Sequence, residues 1–330
     1  MSFTRIALSV CLLLSLFGTA QAATFKIATI APDGTGWMRE MRAGAKKVEQ
    51  QTAGRVQFKF YPGGVMGNDA AVMRKIRAGQ LQGGAFATTG LTDIYKDAAL
   101  YSFPLQFRDL AEVDYVRSKM DASLAAGLEA GGMVPLGFSE GGFTYLMGQD
   151  AITSVADLTG KKVWVPEDDP INEKAIKNAG VTPVPLPFSD VYTGLQTGLI
   201  DTVAAVPTGA IAFQWHTKLE TLVDVPLNYI VGALVVSKRN FAKLSNEDQQ
   251  ITRQVMGEVF TRLNRINRED NEKARAALKQ QGIQFTRLPA EEQAKWRAMA
   301  DQAINDLRSA GIYTPAQLDL MRQHIKAIRK

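Results

Sequence analysis

The segment Arg55–Tyr61 (RVQFKFY) decides the fold class, because its apolar and polar side chains alternate as they do in a half-buried β-strand. A Pro-Gly-Gly turn at residues 62–64 ends this strand, and a helical pattern runs from about Asp69 to Ala78. A short apolar strand follows at residues 83–89. Strand, helix and strand in this order predict a βαβ unit with parallel strands.

The same pattern continues on both sides of this unit and resumes in a second half of the chain. The first half adds a strand at 24–30 and a helix at 36–52. The second half has strands at 162–165 and 199–205 and helices at 171–179 and 190–197. An apolar strand at 230–237 is expected to return to the first domain, and long helices are expected at 245–281 and 289–310. Together these segments predict an α/β protein of two domains, with a cleft between them and a long bracing helix.

Length and charge limit the possible functions. The 330 residues carry 38 basic and 33 acidic side chains, a formal net charge of +5, and contain no run of five Lys or Arg. So small an excess gives no reason to expect nucleic acid as a partner. A chain of this length exceeds the comfortable size of one hydrophobic core, which again favours two domains.

The first 22 residues predict export. Arg5 precedes an apolar run from Ile6 to Phe17, and Ala20-Gln21-Ala22 supplies the small residues of a cleavage site. The run is shorter than the roughly 20 residues of a membrane-spanning helix, so a cleaved signal peptide and a periplasmic location are expected. Cleavage would remove Cys11, the single cysteine of the chain. We expect the mature protein not to span a membrane.

Patterns of catalytic residues are nearly absent. The sequence has no H-E-x-x-H, G-x-S-x-G, P-loop or C-x-x-C motif, and its two histidines are His216 and His324. The acidic run at residues 167–169 could bind a metal, but it lacks the spacing of a metal-binding loop and is typical of a helix start. We therefore expect no catalytic residue, no metal and no cofactor, and a secreted enzyme is a weak alternative.

The architecture itself indicates where a ligand would bind. In open α/β sheets, ligands lie beyond the carboxyl ends of the strands, so the loops that follow strands are the candidate contacts. These loops contribute Trp37, Asn68, Thr88, Thr89, Trp164, Pro166 and Ala205.

Several short motifs, in this order and spacing, resemble one known family. The sequence is similar to the substrate-binding components of tripartite ATP-independent periplasmic (TRAP) transporters of the DctP type, over almost the whole mature chain. The motifs are Ala53-Gly54-Arg55-Val56, Tyr61-Pro62-Gly63-Gly64, Met66-Gly67-Asn68-Asp69, Ser102-Phe103-Pro104-Leu105, Asp157-Leu158-Thr159-Gly160-Lys161-Lys162, and the run from Pro185 to Gly198 followed by Ile200-Asp201.

The resemblance implies a periplasmic binding protein-like fold whose two domains close on a small organic solute. It implies delivery of that solute to TRAP permease membrane subunits driven by a sodium gradient. The expected domains are residues 24–147 with 233–275, and residues 148–232 with 276–330, after the signal peptide at 1–22. The resemblance also places Phe188 and Tyr192 at the pocket. A sensory subunit that presents its ligand to a membrane kinase is an alternative.

Three positions depart from the family pattern. Typical members have an arginine that grips the ligand carboxylate where this chain has Trp164, and often a second arginine at the position of Thr144. An asparagine near the ligand is replaced by Ala205. A desolvated carboxylate needs a partner, so we expect a ligand other than a simple dicarboxylate.

Two interpretations of Trp164 remain open at this point. The indole could stack on an aromatic solute or face an amine, with Glu140, Glu167 or Asp168 balancing a positive charge. Alternatively Trp164 fills space, and Arg74 or Lys162 reaches a carboxylate instead.

Overall fold

The computed structural model describes residues 22–167, 169–178 and 180–329. Apart from Ala22, the predicted signal peptide lies outside these residues, as do Asp168 and Ala179. No helix among the described residues is both long enough and apolar enough to cross a membrane.

A five-stranded sheet forms the core of the first lobe. Its order is β2-β1-β3-β10-β4, with β1 parallel to β2 and β3, and β10 antiparallel to both neighbours. The parallel βαβ unit predicted from the alternating segment is therefore confirmed. The strands are β1 (Ala23–Thr29), β2 (Val56–Tyr61), β3 (Gly83–Ala87), β4 (Met133–Phe143) and β10 (Tyr229–Ser237).

A six-stranded sheet forms the second lobe, in the order β11-β9-β5-β8-β6-β7. Strand β6 runs parallel to β7 and β8, whereas β5 runs antiparallel to β8 and β9. Two mixed sheets with helices packed on them confirm the predicted α/β class. The strands are β5 (Tyr145–Gly148), β6 (Lys162–Pro166), β7 (Thr182–Leu186), β8 (Thr202–Ala205), β9 (Thr221–Val223) and β11 (Gln284–Thr286).

Helices cover both sheets, and the six predicted from the sequence lie within two residues of their predicted bounds, whereas those at Leu110–Ala130, Pro207–Ala212 and Lys238–Phe241 were not predicted. They are α1 (Gly36–Gln51), α2 (Asp69–Arg77), α3 (Leu110–Ala130), α4 (Pro170–Asn178), α5 (Val191–Thr197), α6 (Pro207–Ala212), α7 (Lys238–Phe241), α8 (Asn246–Gln280), α9 (Ala290–Ser309) and α10 (Pro315–Ile328).

The 35-residue helix α8 braces the two lobes, as predicted. Its Ser245 cap accepts a hydrogen bond from the amide of Asp248 at 3.1 Å, which satisfies an otherwise unpaired N–H group of the first turn. Val255 and Phe260 are buried in a core cluster of the first lobe, whereas Leu278 is buried in a cluster of the second. One continuous helix therefore packs on both sheets.

Helix α10 was not predicted from the sequence, yet it is part of the first lobe. Its buried Leu318, Met321 and Ile325 lie in the same cluster as the residues of α3. The predicted domain boundaries stay a prediction, and this packing places the last helix beside the first sheet. Arg329, just after α10, forms a two-pronged pair with Glu112 on α3, at 2.7 and 2.8 Å.

This pair predicts a pH-dependent contribution to stability. Burial acts to raise the pKa of Glu112, but hydrogen bonds from Arg329 and Arg108 outweigh it and lower the pKa from 4.5 to about 2. A lowered folded-state pKa gives stability that is fully present above pH 4.5 and is lost as the pH falls towards 2. We expect Arg329→Met to lower the free energy of unfolding at pH 7 by about 2 kcal/mol, a value reduced for solvent at Arg329.

Urea unfolding between pH 7 and pH 2.5 measures this effect. As the pH falls, the variant should lose less stability than the parent chain, because it already lacks the stabilisation that Arg329 gives to the ionised Glu112 carboxylate. Arg265→Met removes an exposed pair with Glu269 and is the matched control, expected to change little. If the free energies of unfolding of Arg329→Met and the parent chain changed equally with pH, the pH dependence would not come from the Arg329–Glu112 pair.

Candidate functional site

The chain crosses between the two lobes next to a pair of hydrogen-bonded residues. Thr144 is the single residue between β4 and β5, and Asn228 immediately precedes β10. The Thr144 amide donates to the Asn228 carbonyl at 2.9 Å, and its hydroxyl donates to the Asn228 side chain at 3.2 Å. Thr144 is 5% exposed. The structure thus places this predicted site residue in the hinge, and its contact with a solute stays a prediction.

Asn228 connects the hinge to both lobes and was missed from the sequence. Its side-chain amide donates to the carbonyl of Ser102 at 3.1 Å and to the side chain of Asn172 on α4 at 2.9 Å. The one sequence feature that could have indicated Asn228 is its polar side chain between Leu227 and the apolar strand β10. Asn228 is also hydrogen-bonded to Thr144. It therefore fixes the orientation of the second lobe relative to the strands that connect the two lobes.

Helix α8 adds a further link beside the hinge. The Asn271 side chain donates to the carbonyl of Gly141 at 2.7 Å and accepts from the Thr208 hydroxyl of α6 at 2.9 Å. Gly142 has a φ of +106°, and a Cβ there would lie 2.7 Å from the Asn271 amide nitrogen. Glycine is therefore required at this position both by the backbone conformation and by space.

Two predicted cleft loops meet directly. Asn68 follows β2 and caps α2, its Oδ1 accepting from the Ala71 amide at 3.0 Å. Its Nδ2 donates across the cleft to Glu167, just after β6, at 3.1 Å. The loops at the ends of β2 and β6 therefore face each other, as expected for a ligand cleft between two α/β lobes.

The other predicted residues of the first lobe lie deeper. Thr88 and Thr89 form a 3₁₀ turn directly after β3, and Thr88 is completely buried. The Thr88 hydroxyl finds no hydrogen-bond partner among the described residues. Trp37, the second residue of α1, is half-buried and packs against the core cluster that contains Met41.

Trp164 lies in a cluster of four aromatic rings in the second lobe. The centre of its ring lies 4.8 Å from that of Phe188 and 5.1 Å from that of Trp215, and both pairs pack edge to face. Phe213 stacks on Trp215, with 5.2 Å between the ring centres. Trp164 is 5% exposed, and its Nε1 donates to the carbonyl of Leu186 at 3.0 Å. Phe188 and Phe213 are half-buried and form the more exposed part of the cluster.

The remaining predicted residues of the second lobe surround this aromatic cluster. Pro166 ends β6 and is half-buried, whereas Ala205 ends β8 and is 5% exposed. Tyr192 on α5 is half-buried, with the Lys218 ammonium 5.4 Å from its ring centre. The Nδ1 atom of His216 lies 3.0 Å from the carbonyl of Ala210.

Glu140 is held by two arginines. It is 4% exposed and pairs with Arg117 of α3 and with Arg268 of α8, whose Nε donates at 2.6 Å. Hydrogen bonds to Asp114 and Glu140 raise the pKa of Arg268. Burial and the Glu140 charge raise the pKa of the neighbouring Tyr229. A positively charged solute would have to compete with two guanidinium groups for this carboxylate.

The alternative basic residues lie at the far end of β6 and on the exposed side of α2. Lys162 begins β6, at the end opposite Pro166, and its Nζ donates to the carbonyl of Gly198. Arg74 is an exposed residue in the second half of α2. Among residues 22–167, 169–178 and 180–329, no three His, Cys, Asp or Glu side chains are placed to hold a metal ion.

Comparison with known proteins gives a consistent family. The DctP family model, described as bacterial extracellular solute-binding protein, family 7, matches residues 27–309. The 2,3-diketo-L-gulonate-binding periplasmic protein YiaO of Escherichia coli K12 is 26% identical over 240 residues, 72% of this chain and 73% of that protein. The C4-dicarboxylate-binding periplasmic protein DctP of Rhodobacter capsulatus is 26% identical over 252 residues, 75% of each chain.

Solved structures share the fold at lower identity. A TRAP periplasmic solute-binding protein from Desulfovibrio salexigens, with bound orotic acid, has a TM-score of 0.84 at 20% identity and covers 93% of this chain and 99% of its own. One from Ralstonia eutropha H16, with bound (S)-2-acetolactate, has a TM-score of 0.85 at 20% identity and covers 92% of this chain and 99% of its own.

Proposed function

Because the chain belongs to family 7 of the bacterial extracellular solute-binding proteins, the DctP family, we propose that it is a TRAP transporter receptor that captures a small organic solute between its two lobes. The observation that carries this proposal is the meeting of Asn68 and Glu167, at 3.1 Å, across the cleft. Each residue follows a strand of a different sheet, so this contact joins the strand-end loops of the two lobes.

The hinge supports a cycle of opening and closing. Two crossings meet at Thr144 and Asn228. Helices α8 and α9 also pack on both lobes, since Trp296 of α9 lies in a second-lobe cluster and Ile304 in a first-lobe cluster. Closure of lobes about a few residues at the ends of strands is how periplasmic binding proteins enclose their ligands. We propose that closure about this hinge presents the loaded receptor to TRAP permease membrane subunits, after export to the periplasm and cleavage of residues 1–22.

We propose no catalytic role. The polar side chains at the cleft, Asn68 and Glu167, bind each other, and Glu140 is paired with two arginines. No nucleophile with an adjacent general base is found among the described cleft residues named above. No observation on the molecule favours the sensory alternative over transport.

The proposed ligand class rests on the residues that stand where the family resemblance predicts arginines. Trp164, Thr144 and Ala205 stand at the three polar family positions, and all three are buried. The indole of Trp164 is occupied by Leu186 and two rings, which supports a packing role for it. We propose that the solute contacts the exposed edges of Phe188 and Phe213 and is not a dicarboxylate clamped by guanidinium groups.

A thermal-shift panel tests both parts of this proposal. It should include succinate as a C4-dicarboxylate, orotate and acetolactate as acids of structural neighbours, and neutral and cationic aromatic compounds. A ligand at about 100 times its Kd stabilises the folded state by about 2.7 kcal/mol, which should raise the Tm by several degrees. We expect planar compounds with at most one carboxylate to give the largest shifts.

Two outcomes of the panel would count against the proposal. Selective stabilisation by dicarboxylates would remove the ligand class but keep the receptor. If chromatography of the incubated mixture showed that a stabilising compound had been chemically converted, an enzyme would be favoured instead.

A further inference from the structure

A carboxylate of the first lobe lies at the carboxyl ends of its parallel strands. Asp69 is the first residue of α2, directly after the loop that follows β2. It lines a small cavity together with Thr29 at the end of β1, Met66 of the same loop and Phe86 of β3. Among the described residues that line this cavity, Asp69 is the only charged one. Ligands of α/β sheets bind at such strand ends, so this carboxylate is placed where a solute would arrive.

The Asp69 side chain rests on the turn that follows β3. A Cβ added at Gly90 would lie 2.1 Å from the Oδ2 atom of Asp69, closer than two such atoms can approach. The φ of Gly90 is not positive, so its backbone conformation does not itself require glycine. Glycine is needed at position 90 because the carboxylate occupies the space that a side chain would fill.

The same carboxylate belongs to the part of the first lobe that faces the second. Its neighbour in sequence, Asn68, donates to Glu167 after β6 at 3.1 Å. The proposed contacts on the second lobe, Phe188 and Phe213, offer a solute apolar ring edges. A polar group of the solute that leaves water therefore needs its partner on another surface, and the first-lobe strand ends supply Asp69.

We propose that Asp69 selects solutes that carry a hydrogen-bond donor, an N–H or O–H group, on the side that faces the first lobe. An ionised carboxylate only accepts hydrogen bonds, and it repels a second carboxylate close to it. Asp69 therefore favours a donor group and disfavours a dicarboxylate. Gly90 acts as a positioning residue that leaves room for the carboxylate. This inference rests on the proposed receptor function and adds the chemistry of one end of the solute.

Matched pairs of compounds test this role. Every donor-bearing compound of the thermal-shift panel is paired with a derivative in which methyl groups replace the N–H or O–H hydrogens. The pairs include orotate with its N,N′-dimethyl derivative, acetolactate with its O-methyl ether, and benzylamine with its N,N,N-trimethyl derivative. Calorimetric titration then gives Kd values for the stabilising compounds. We expect the donor-bearing member to bind the parent chain about tenfold more tightly, the effect of one hydrogen bond to a charged group.

The decisive variant is Asp69→Ala. It should weaken binding of the donor-bearing member about tenfold and should not weaken binding of the methylated member. Gly90→Ala places a methyl group where the Asp69 Oδ2 atom lies, so it should give the same selective loss although the carboxylate is still present. Asp69→Asn keeps one acceptor oxygen without the charge. It should give a smaller loss of the same kind, and it carries the test if Asp69→Ala does not fold.

Two control variants lie away from the strand ends. Gly257→Ala adds a Cβ to α8 that meets no atom within 4 Å, and is matched to Gly90→Ala. Glu291→Ala removes a carboxylate from the first turn of α9, where the side chain is 80% exposed, and is matched to Asp69→Ala. Both should bind every compound as the parent chain does. Ligand-free Tm values and circular dichroism show whether each variant is folded.

An equal loss of affinity for both members of a pair in Asp69→Ala would show a structural role and overturn the inference. Unchanged binding of the donor-bearing member in that variant would overturn it as well. A panel that responds only to compounds without a donor, or equally to both members of each pair, keeps the receptor and removes this inference alone. A panel without any response removes the receptor function, and the role of Asp69 with it.

Discussion

Replacement of Trp164 by alanine is expected to lower the free energy of unfolding by about 3–5 kcal/mol. The indole is 5% exposed and fills the space between Phe188 and Trp215, so its removal leaves a cavity lined by aromatic rings. The carbonyl of Leu186 also loses its donor. Urea unfolding monitored by far-ultraviolet circular dichroism measures the loss, and near-ultraviolet dichroism reports the disturbed aromatic cluster.

Phenylalanine at position 164 separates packing from ligand contact. Trp164→Phe keeps a ring in the cluster but removes the donor to Leu186, so a loss of about 1–2 kcal/mol is expected. Any ligand found in the panel should then bind with nearly the parent affinity. Unchanged stability combined with abolished binding would show that the indole contacts the solute and that its packing role is wrong.

Replacement of Glu140 by glutamine is expected to cost about 3 kcal/mol, at the lower end of the range for breaking a buried ion pair. Arg117 and Arg268 both lose a carboxylate, and the side chain of Arg117 is only 10% exposed. The lower end applies because Asp121 and Asp114 remain as partners of the two arginines. Urea unfolding at pH 7 measures the change.

Glu258→Gln is the matched control for this prediction. It removes a carboxylate from a pair with Lys47 in which both side chains are about half exposed, so no measurable change is expected. The Glu140 variant should lose stability in low and high salt alike, because solvent ions screen a buried pair only weakly. An equal, small effect of both substitutions would mean that the Glu140 pairs are exposed in solution.

Most elements of the fold were predictable from local patterns. The alternating strand β2, the helix α2 and the capped start of α8 at Ser245 occur where periodicity and capping residues place them. These signals are local, because they depend on neighbours within a few positions along the chain. The cleft at the carboxyl ends of strands followed from the parallel βαβ pattern for the same reason.

Side-chain partners across the fold were not predictable in this way. Glu140 meets Arg117 and Arg268, which lie far from it in sequence, and nothing in the spacing of these residues indicates the contact. The direction of Trp164 likewise depends on Leu186 and Trp215, which only the folded second lobe brings near. The C-terminal helix α10 was not predicted, although its buried Leu318, Met321 and Ile325 recur at helical spacing.

The site was therefore predicted in outline but not in detail. Asn68 lies at the cleft, as the loop rule predicts, and meets the Glu167 loop there. The resemblance predicts an arginine position at Thr144, and in this chain Thr144 bonds Asn228 at the hinge. Which cleft residues touch the solute stays a prediction that the panel and the Trp164 variants can decide.

The place of β10 in the first sheet has a consequence for how the molecule assembles. This strand pairs with β3 on one side and β4 on the other, although the whole second-lobe sheet except β11 separates it from them along the chain. Until β10 is available, β3 and β4 each expose an unpaired edge. Folding of the first lobe must therefore wait for a late strand, and such distant pairings make folding slow. During most of translation, the first-lobe sheet of the new chain therefore lacks β10 and has unpaired strand edges.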